Sequence, residues 1–380
     1  MVSWFKADHL HFTAIHSPIF NLPMSLTFFT PGPAALYPTF EQHLKTFVEN
    51  QLGSISHRSQ QYRDLHKFTV DQLRTLLNVP DTHAILFLGS ASEAWERILF
   101  STVELESFHL VNGSFSKKFY DYSNALNKYA HKFEKPMGEG FVAGEVDVPE
   151  YAELIATTHN ETISGVQMPV AEIHKLKQRN PSKFIAVDMV SSAPYPDLDY
   201  SIIDTAFFSV QKAFGLPAGL GVWIVSERCL EKAKNIRNTY SIGAHNDLPT
   251  LWKNAQNNET PATPNVMLIY LLGKIAEDFN RIGVQNIRKE TEHKAALLYK
   301  FIEKTAGFSP FVKEKALRSQ TVVVTDTEAP SADIIKRIKE KGMIIGSGYG
   351  AGKATQLRIA NFPATSLEET EKLIHELGTL

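Results

Sequence analysis

One lysine stands where a run of apolar residues changes into a flexible segment. The run 207–211 (FFSVQ) is followed by Lys212, and a loop rich in glycine and proline occupies 213–221. We expect Lys212 at the end of a buried strand, whereas most lysines lie on solvated surfaces. Burial favours the free amine, the form that bonds to a carbonyl compound. The local pattern is equally consistent with a lysine that reaches solvent from the strand end.

A carboxylate follows another apolar run. Phe184–Val187 is followed by Asp188, which lies 24 positions before Lys212. Open α/β sheets bind ligands beside the carboxyl ends of their strands. An anion there could hold the protonated ring nitrogen of a pyridine cofactor. Taken alone, Asp188 could also be a turn or helix-capping residue, but an acid and an amine on successive strand ends form a more specific pattern.

A third segment could bind a phosphate. The apolar run Ala84–Leu88 leads into Gly89-Ser90-Ala91-Ser92, and a helical pattern follows. Small residues at the start of a helix expose backbone N–H groups, and the helix dipole favours an anion there. Many strand-to-helix turns share this composition. Two nucleotide-binding motifs are excluded near residues 346–354, because a strand follows the glycines and the P-loop glycine positions are not kept.

The elements that would position these residues alternate between short apolar runs and longer helical patterns, which predicts an α/β fold with a mostly parallel sheet. Helices are predicted at Ser92–Phe100, Ser116–Tyr129 and Val170–Arg179. The predicted strands are Ala84–Leu88, Phe108–Val111, Leu154–Thr158, Phe184–Val187, Thr205–Val210 and Val222–Val225.

A boundary is predicted near Thr260–Pro264, with a long helical pattern from Asn265 and a smaller α+β domain after it. We therefore expect an N-terminal arm at 1–29, a large domain at 30–264 and a small C-terminal domain at 265–380. The small domain is predicted to contain strands at Thr321–Val324, Met343–Ile345 and Leu357–Ala360, and helices at Ala332–Lys341 and Ser366–Leu377. Ser366 and Glu369 have the spacing of a capping box.

Composition excludes several classes of protein. The formal net charge of −2 gives no basic field for nucleic acid, and the single cysteine, Cys229, allows no intrachain disulfide or cysteine-rich metal site. No apolar stretch has the length of a membrane helix or of a signal-peptide core. We expect a cytoplasmic enzyme that binds no metal, nucleic acid or membrane.

Taken in order, these segments resemble the class V aminotransferases, enzymes of fold type I that use pyridoxal 5′-phosphate (PLP), and within them the phosphoserine aminotransferase group. The resemblance extends from Thr30-Pro31-Gly32-Pro33 to Arg358. The segment 160–165 (NETISG) is its strongest local match. The resemblance as a whole implies an aspartate-aminotransferase-like large domain, a small C-terminal domain, small amino acid and 2-oxo acid substrates, and a homodimer.

The resemblance also implies a role for each matching residue. Lys212 would bind PLP covalently and move a proton, and Asp188 would hold the ring nitrogen. Arg358 would bind the substrate carboxylate, while His57 and Arg58 would bind a substrate phosphate. The remaining cofactor contacts would come from Ser90 and Ala91 (phosphate), Phe115 (ring stacking), Thr162 (ring oxygen), Gln211 (phosphate) and Thr260 (phosphate of the partner subunit).

The chain departs from the phosphoserine group in one substrate-binding segment. Members of that group usually have a second His-Arg pair shortly before the carboxylate-binding arginine, but residues 346–354 (GSGYGAGKA) contain none. Phe115 also stands where many members have tryptophan, and the turn at 89–92 lacks the usual Ala-Arg. The resemblance nevertheless implies transamination of O-phosphoserine with 2-oxoglutarate.

Other functions stay open. An alanine– or serine–glyoxylate or –pyruvate aminotransferase would share the His57-Arg58-Ser59 segment. A cysteine desulfurase needs a cysteine on a loop well after the lysine, which Cys229 does not match. An α/β protein that binds a sugar or nucleotide without PLP is the alternative outside enzymes of this type.

Overall fold

The computed structural model describes residues 26–379. Its helices are α1 (Phe40–Glu49), α2 (Gln60–Leu77), α3 (Ala91–Thr102), α4 (Ser114–Ala125), α5 (Val170–Arg179), α6 (Glu227–Thr239), α7 (Leu248–Ala255), α8 (Val266–Ile282), α9 (Val284–Lys304), α10 (Ser331–Glu340) and α11 (Leu367–Gly378). Short 3₁₀ helices occupy Leu52–Ser54, Ala143–Glu145, Lys315–Leu317 and Gly350–Ala354.

The strands belong to three sheets. They are β1 (Thr27–Phe29), β2 (His83–Leu88), β3 (Glu106–Val111), β4 (Tyr129–Glu134), β5 (Leu154–Thr158), β6 (Asn160–Glu161), β7 (Val166–Gln167), β8 (Phe184–Asp188), β9 (Thr205–Ser209), β10 (Gly221–Ser226), β11 (Phe308–Pro310), β12 (Val322–Thr327), β13 (Met343–Ser347) and β14 (Gln356–Ala360).

The largest sheet has seven strands in the order β2-β10-β9-β8-β5-β3-β4. The pairs β9–β8, β8–β5, β5–β3 and β3–β4 are parallel, and only β10 runs against its two neighbours. A parallel partner requires a long crossover, whereas the short segment 210–220 joins β9 directly to β10 and so makes the pair antiparallel. The predicted α/β architecture with a mostly parallel sheet is confirmed.

Alternate residues of this sheet pack against helices on opposite faces. Phe208 faces the core formed with α2 and α8, while Phe207 faces the core formed with α3 and α6. Both side chains are fully buried. Strands covered on both sides need apolar residues at every position, which explains the continuous apolar runs in the sequence.

The second sheet has the order β1-β13-β14-β12-β11 and packs against α9, α10 and α11. Its first strand, Thr27–Phe29, lies in the predicted N-terminal arm and pairs in parallel with β13. The rest of that arm, residues 1–25, lies outside the described residues. The capping box of α11 is confirmed, because Ser366 and Glu369 exchange side-chain-to-backbone hydrogen bonds.

Several predicted boundaries were wrong. The helix predicted to reach Tyr129 ends at Ala125, because Asn127 turns the chain with φ of 55° and Tyr129 begins β4. The long helical pattern from Asn265 is two helices, since Gly283 at φ 86° separates α8 from α9. In residues 26–379, no helix is long and apolar enough to cross a membrane.

Candidate active site

A cavity of about 390 Å³ lies at the carboxyl ends of the parallel strands. Seven of the residues that the sequence assigns to the cofactor or catalytic site line it. They are Ser90, Ala91, Phe115, Thr162, Asp188, Gln211 and Lys212. The other lining residues are Gly32, Pro33, Ser92, Trp95, Thr158, Asn160, Val190, Ser209 and Ala218.

Lys212 does not end β9 as predicted, because β9 stops at Ser209 and the lysine lies in the turn before β10. Its Nζ donates a hydrogen bond to the carbonyl oxygen of Pro31 at 2.5 Å. A Cβ on Gly32 would lie 2.1 Å from that Nζ, so a side chain at this position would displace the lysine amine. Burial, with a smaller contribution from the Arg358 charge, lowers the pKa of Lys212 to about 8.

Asp188 is the last residue of β8 and is only 4% exposed. Its Oδ1 accepts a hydrogen bond from the Val190 amide at 2.9 Å, and Oδ2 accepts a longer one, 3.4 Å, from Trp95 Nε1. Burial, with a smaller contribution from the nearby Glu161, raises the pKa of the carboxyl group to about 7. An anion this deeply buried needs a cationic partner, and a protonated ring nitrogen would be one.

Trp95 is a site residue that the sequence analysis missed. It lies on α3 three positions after Ser92, so both side chains lie on the same face of the helix. Its ring stacks on Phe119 with centroids 6.0 Å apart. The helical spacing from the small-residue turn is the sequence signal that could have identified it.

The opposite end of the cavity is suited to a phosphate. Helix α3 begins at Ala91, and the amides of its first turn have no partner within the helix. The Ser90 side chain caps the helix by accepting from the Glu93 amide at 3.2 Å. Facing this turn, Ser209 Oγ donates to Gln211 Oε1 at 2.5 Å. Backbone N–H groups, a hydroxyl and an amide together form an anion site at a helix N-terminus.

The side walls come from α4 and from the β6–β7 hairpin. Phe115 lies in the first turn of α4, and Thr162 follows β6. Asn160 Nδ2 donates to Ser191 Oγ at 2.8 Å, whereas Asn160 Oδ1 is buried and has no hydrogen-bond partner among the described residues. A ligand with a hydroxyl or N–H group would satisfy this acceptor.

Arg358 does not line the cavity itself. It lies on β14, and its Nε donates to the Ser347 carbonyl at 2.8 Å. Because its charge lowers the pKa of Lys212, it lies within electrostatic reach of the lysine. The guanidinium group could therefore bind the carboxylate of a substrate that enters between the two sheets.

The remaining predicted residues lie outside this cavity. His57 and Arg58 lie in the turn before α2. Arg58 Nη1 pairs with Glu259 Oε2 at 2.5 Å, and Nη2 donates to the Pro261 carbonyl at 3.2 Å. Thr260 lines a neighbouring cavity of about 260 Å³ on the other side of Gly89. Glu259 thus holds Arg58 beside the Thr260 segment.

The fold and this site define an aminotransferase, and comparison with known proteins identifies the family. The class-V aminotransferase model matches residues 145–362, more than half of the chain. This chain belongs to the class V aminotransferases.

Its relatives include phosphoserine aminotransferases. The curated enzyme of that name from Rhodococcus opacus is 26% identical over 347 residues, which cover 90% of this chain and 91% of the relative. The crystal structure of a phosphoserine aminotransferase from Cytophaga hutchinsonii is 48% identical, with a TM-score of 0.91 over 93% of this chain and 99% of that one.

A PLP-bound phosphoserine aminotransferase from Trichomonas vaginalis superposes with a TM-score of 0.75 over 92% of this chain and 98% of that one. Its sequence is 20% identical, so this similarity shows the fold alone. The crystal structure of an aspartate aminotransferase from Thermus thermophilus superposes with a TM-score of 0.80 at 22% identity, over 93% of this chain and 98% of that one, which confirms the aspartate-aminotransferase-like architecture predicted from the sequence.

Proposed function

We propose that the cavity binds PLP and that Lys212 holds this cofactor covalently while an amino group passes between an amino acid and a 2-oxo acid. The observation that carries the proposal is that Lys212, Asp188 and the N-terminus of α3 meet in one cavity. Its volume of about 390 Å³ lies within the range of ~300–1,000 Å³ usual for small-molecule sites.

The donor set fits the cofactor at each of its ends. The first turn of α3, with Ser209 and Gln211, would bind the phosphate. Asp188 would hold the proton of the ring nitrogen, and the unpaired Asn160 Oδ1 and the Thr162 hydroxyl would lie beside the ring oxygen. When bound, PLP supplies a ring that withdraws electrons from the substrate Cα.

Lys212 is suited to proton transfer at its Nζ. With a pKa of about 8, roughly a tenth of the amine is free base at neutral pH. An amine of ordinary pKa would supply about two orders of magnitude less. The lysine can therefore accept a proton from the substrate Cα and return it to a neighbouring carbon, which is general acid–base catalysis.

The experiment for this proposal is the Lys212→Ala variant. We expect it to lose the visible absorbance of covalently held PLP and all measurable transamination, because no other described lysine lines the cavity. Reduction of the wild-type protein with borohydride, followed by peptide mapping, should find the cofactor on Lys212. Its recovery on another lysine would contradict the assignment.

We further infer that the amino donor is O-phosphoserine and that 2-oxoglutarate is the acceptor. The names of the relatives and the NETISG segment support this substrate, and Arg58 with His57 would supply a cation and an imidazole for its phosphate. Arg58 already shares its guanidinium group with Glu259, which reduces the donors left for a phosphate.

The second candidate is an alanine– or serine–glyoxylate or –pyruvate aminotransferase. The observation that favours it is segment 346–354, which lacks the second His-Arg pair and forms β13 and a 3₁₀ helix. Its Lys353 is exposed, and a lysine supplies only a point charge where arginine would bind a phosphate with two donors.

The Arg58→Ala variant separates the two candidates. An arginine–phosphate contact contributes ~1.5–3 kcal/mol, or roughly ten- to over a hundredfold in specificity. We expect the ratio of kcat/KM for phosphoserine to that for alanine to exceed one in the wild type and to fall by about that factor in the variant. A wild-type ratio at or below one, unchanged by the substitution, would transfer the function to the second candidate.

We also propose a homodimer in which Thr260 of one subunit reaches the phosphate bound by the other. In its own chain Thr260 lies outside the cofactor cavity, and Glu259 joins the same segment to Arg58. A second subunit related by twofold symmetry would bring both residues to the opposite site. The division into an arm, a large domain and a small domain at residues 29/30 and 264/265 remains a prediction.

A further inference from the structure

Glu161 is a buried carboxylate that the proposed reaction does not use. It lies on β6 between Asn160 and Thr162, which both line the cofactor cavity, and it is 1% exposed. Successive residues of an extended chain point to opposite sides. Glu161 therefore points away from the cavity, towards the first turn of α4.

The N-terminus of α4 surrounds this carboxylate with donors. Its Oε2 accepts from the Ser116 amide at 3.0 Å, from Ser116 Oγ at 3.0 Å and from the Phe115 amide at 3.2 Å. Oε1 also accepts from the Ile163 amide at 3.4 Å. Four donors and the positive end of the helix dipole stabilise the ionised form.

The backbone before α4 is built around the same side chain. A Cβ on Gly113 would lie 2.3 Å from Glu161 Cγ, so this position requires glycine because the two segments approach so closely. The side chain of Glu161 forms no ion pair with the described residues, and burial raises its pKa. Its partners are thus the neutral donors at the start of α4 and the Ile163 amide.

These contacts connect Glu161 to two walls of the cavity. The Phe115 amide is one of its donors, and the Phe115 ring lines the cavity. Thr162, the next residue along the chain, lines the other wall. Two charged groups, Glu161 and Lys212, act on Asp188 in opposite directions. One carboxylate thus fixes the wall residues and adds a like charge near Asp188.

We propose that Glu161 is a positioning residue for the cofactor: it fixes Phe115 and Thr162 in the walls of the cavity that would hold PLP. The inference rests on the proposed function, because it assumes that PLP occupies this cavity. It adds a residue that acts through α4 and β6 and does not touch the cofactor.

A pair of variants separates charge from geometry. Glu161→Gln keeps the length but presents an amide N–H group to amides that need an acceptor, whereas Glu161→Asp keeps the charge and withdraws it by one methylene group. We expect both variants to bind PLP roughly tenfold or more weakly, the cost of losing a charge-assisted hydrogen bond. Quenching of the tryptophan fluorescence by added PLP, to which Trp95 in the cavity contributes, measures this affinity without any assay of activity.

The second readout is the pH dependence of PLP affinity, which a merely structural role of Glu161 would not change. Glu161 raises the pKa of Asp188, so Glu161→Gln should move the pH midpoint of PLP affinity downwards, whereas Glu161→Asp should leave it near the wild-type value. The matched control is Glu153→Gln. Glu153 accepts from the amides of Glu104 and Leu105 at the opposite end of β3, so its substitution should lower stability and leave PLP affinity unchanged.

The outcomes distinguish this inference from the proposed function. If the wild-type protein does not bind PLP, the proposed function fails. If the wild type binds PLP through Lys212 and both Glu161 variants bind it as tightly, with the same pH midpoint, only the role of Glu161 is overturned. If Glu161→Gln folds poorly, Ser116→Ala removes one donor and should weaken PLP binding by a smaller factor, and unchanged affinity there would also refute the inference.

Discussion

The chemistry proposed for this site depends on two titratable side chains whose pKa values burial moves towards each other. The pKa of Lys212 falls to about 8, and the pKa of Asp188 rises to about 7. Near neutral pH each group therefore has both protonation states accessible. The ionised form of Asp188 destabilises the folded protein, because its buried negative charge needs a cationic partner.

The Asp188→Asn variant tests, in the absence of cofactor, how much this buried negative charge destabilises the protein. The folded-state pKa of Asp188 is raised above its ordinary value of 3.8, so the folded protein binds the proton more tightly and loses stability as pH rises from 3.8 to about 7. We expect the Asn variant to melt at a higher temperature than the wild type above this range, with the difference shrinking as pH falls through it. Thermal melts at several pH values measure this effect.

The same variant should lose activity although it binds PLP. Without the carboxylate the ring nitrogen is not held protonated, and we expect turnover to fall by about a hundredfold or more. Steady-state kinetics at saturating PLP give the result. Near-normal turnover would mean that another group holds the ring nitrogen.

The individual residues differ in how far the sequence identified them. Lys212 and Asp188 could be predicted because each follows a buried apolar run. Trp95 could have been identified only by its helical spacing from Ser92, and Glu161 could not be assigned a role, because it acts through the start of another helix. A pattern along the chain does not encode such contacts between distant segments.

Among the elements, the turn from β9 to β10 and the loop at 31–37 act together. The Ala34 amide donates to the Gln211 carbonyl at 3.0 Å, and the Tyr37 amide donates to the Gly215 carbonyl at 2.8 Å. The loop therefore follows the lysine turn and fixes its shape. Gly32 is the position where loop and lysine approach most closely.

Gly32→Ala tests this approach. Its φ of 141° disfavours a side chain, and the added Cβ would collide with Lys212 Nζ. We expect loss of covalent PLP together with a destabilisation of about 1–3 kcal/mol. Gly243→Ala is the matched control, since Gly243 has a φ of 75° and no atom within 4 Å of an added Cβ. It should lose stability and keep PLP, so equal PLP content in the two variants would contradict the prediction.

Element types were predictable where the apolar pattern was continuous, and boundaries were not. Six of the seven strands of the large sheet match, because burial on both faces leaves one pattern. The two helices separated by Gly283 were predicted only as a long helical pattern without an internal break, because their amphipathic patterns run on and only the positive φ of that glycine ends the first. The strand Tyr129–Glu134 was missed, since it is an exposed edge strand without an apolar run.

At the scale of the whole molecule, the proposed dimer has a direct test. Glu259, the neighbour of Thr260, pairs with Arg58 and holds the two segments together, so a symmetric assembly would bring both residues to the partner's site. We expect light scattering to give twice the chain mass of 42.6 kDa for the active protein. In mixtures of Lys212→Ala and Thr260→Ala subunits, activity should then differ from the average of the two parent proteins.

A stable monomer with full activity would contradict the dimer and leave the PLP site unaffected. The sequence could suggest the assembly only through its resemblance to the class V enzymes. A symmetric interface is formed by surface residues whose partner is another copy of the chain, and no periodic pattern distinguishes them from other surface residues.

The hairpin that carries Thr162 is also attached to the second sheet. Val166 forms an isolated β-bridge with Arg318, and the Ser319 amide donates to the Gly165 carbonyl at 2.9 Å. If the C-terminal region of a relative is grafted onto this chain to alter substrate choice, the grafted region must therefore still form these contacts with the hairpin. A chimera joined at residue 265 would separate the two halves of this attachment, whereas one that also transfers residues 160–167 would keep donor and acceptor from the same parent.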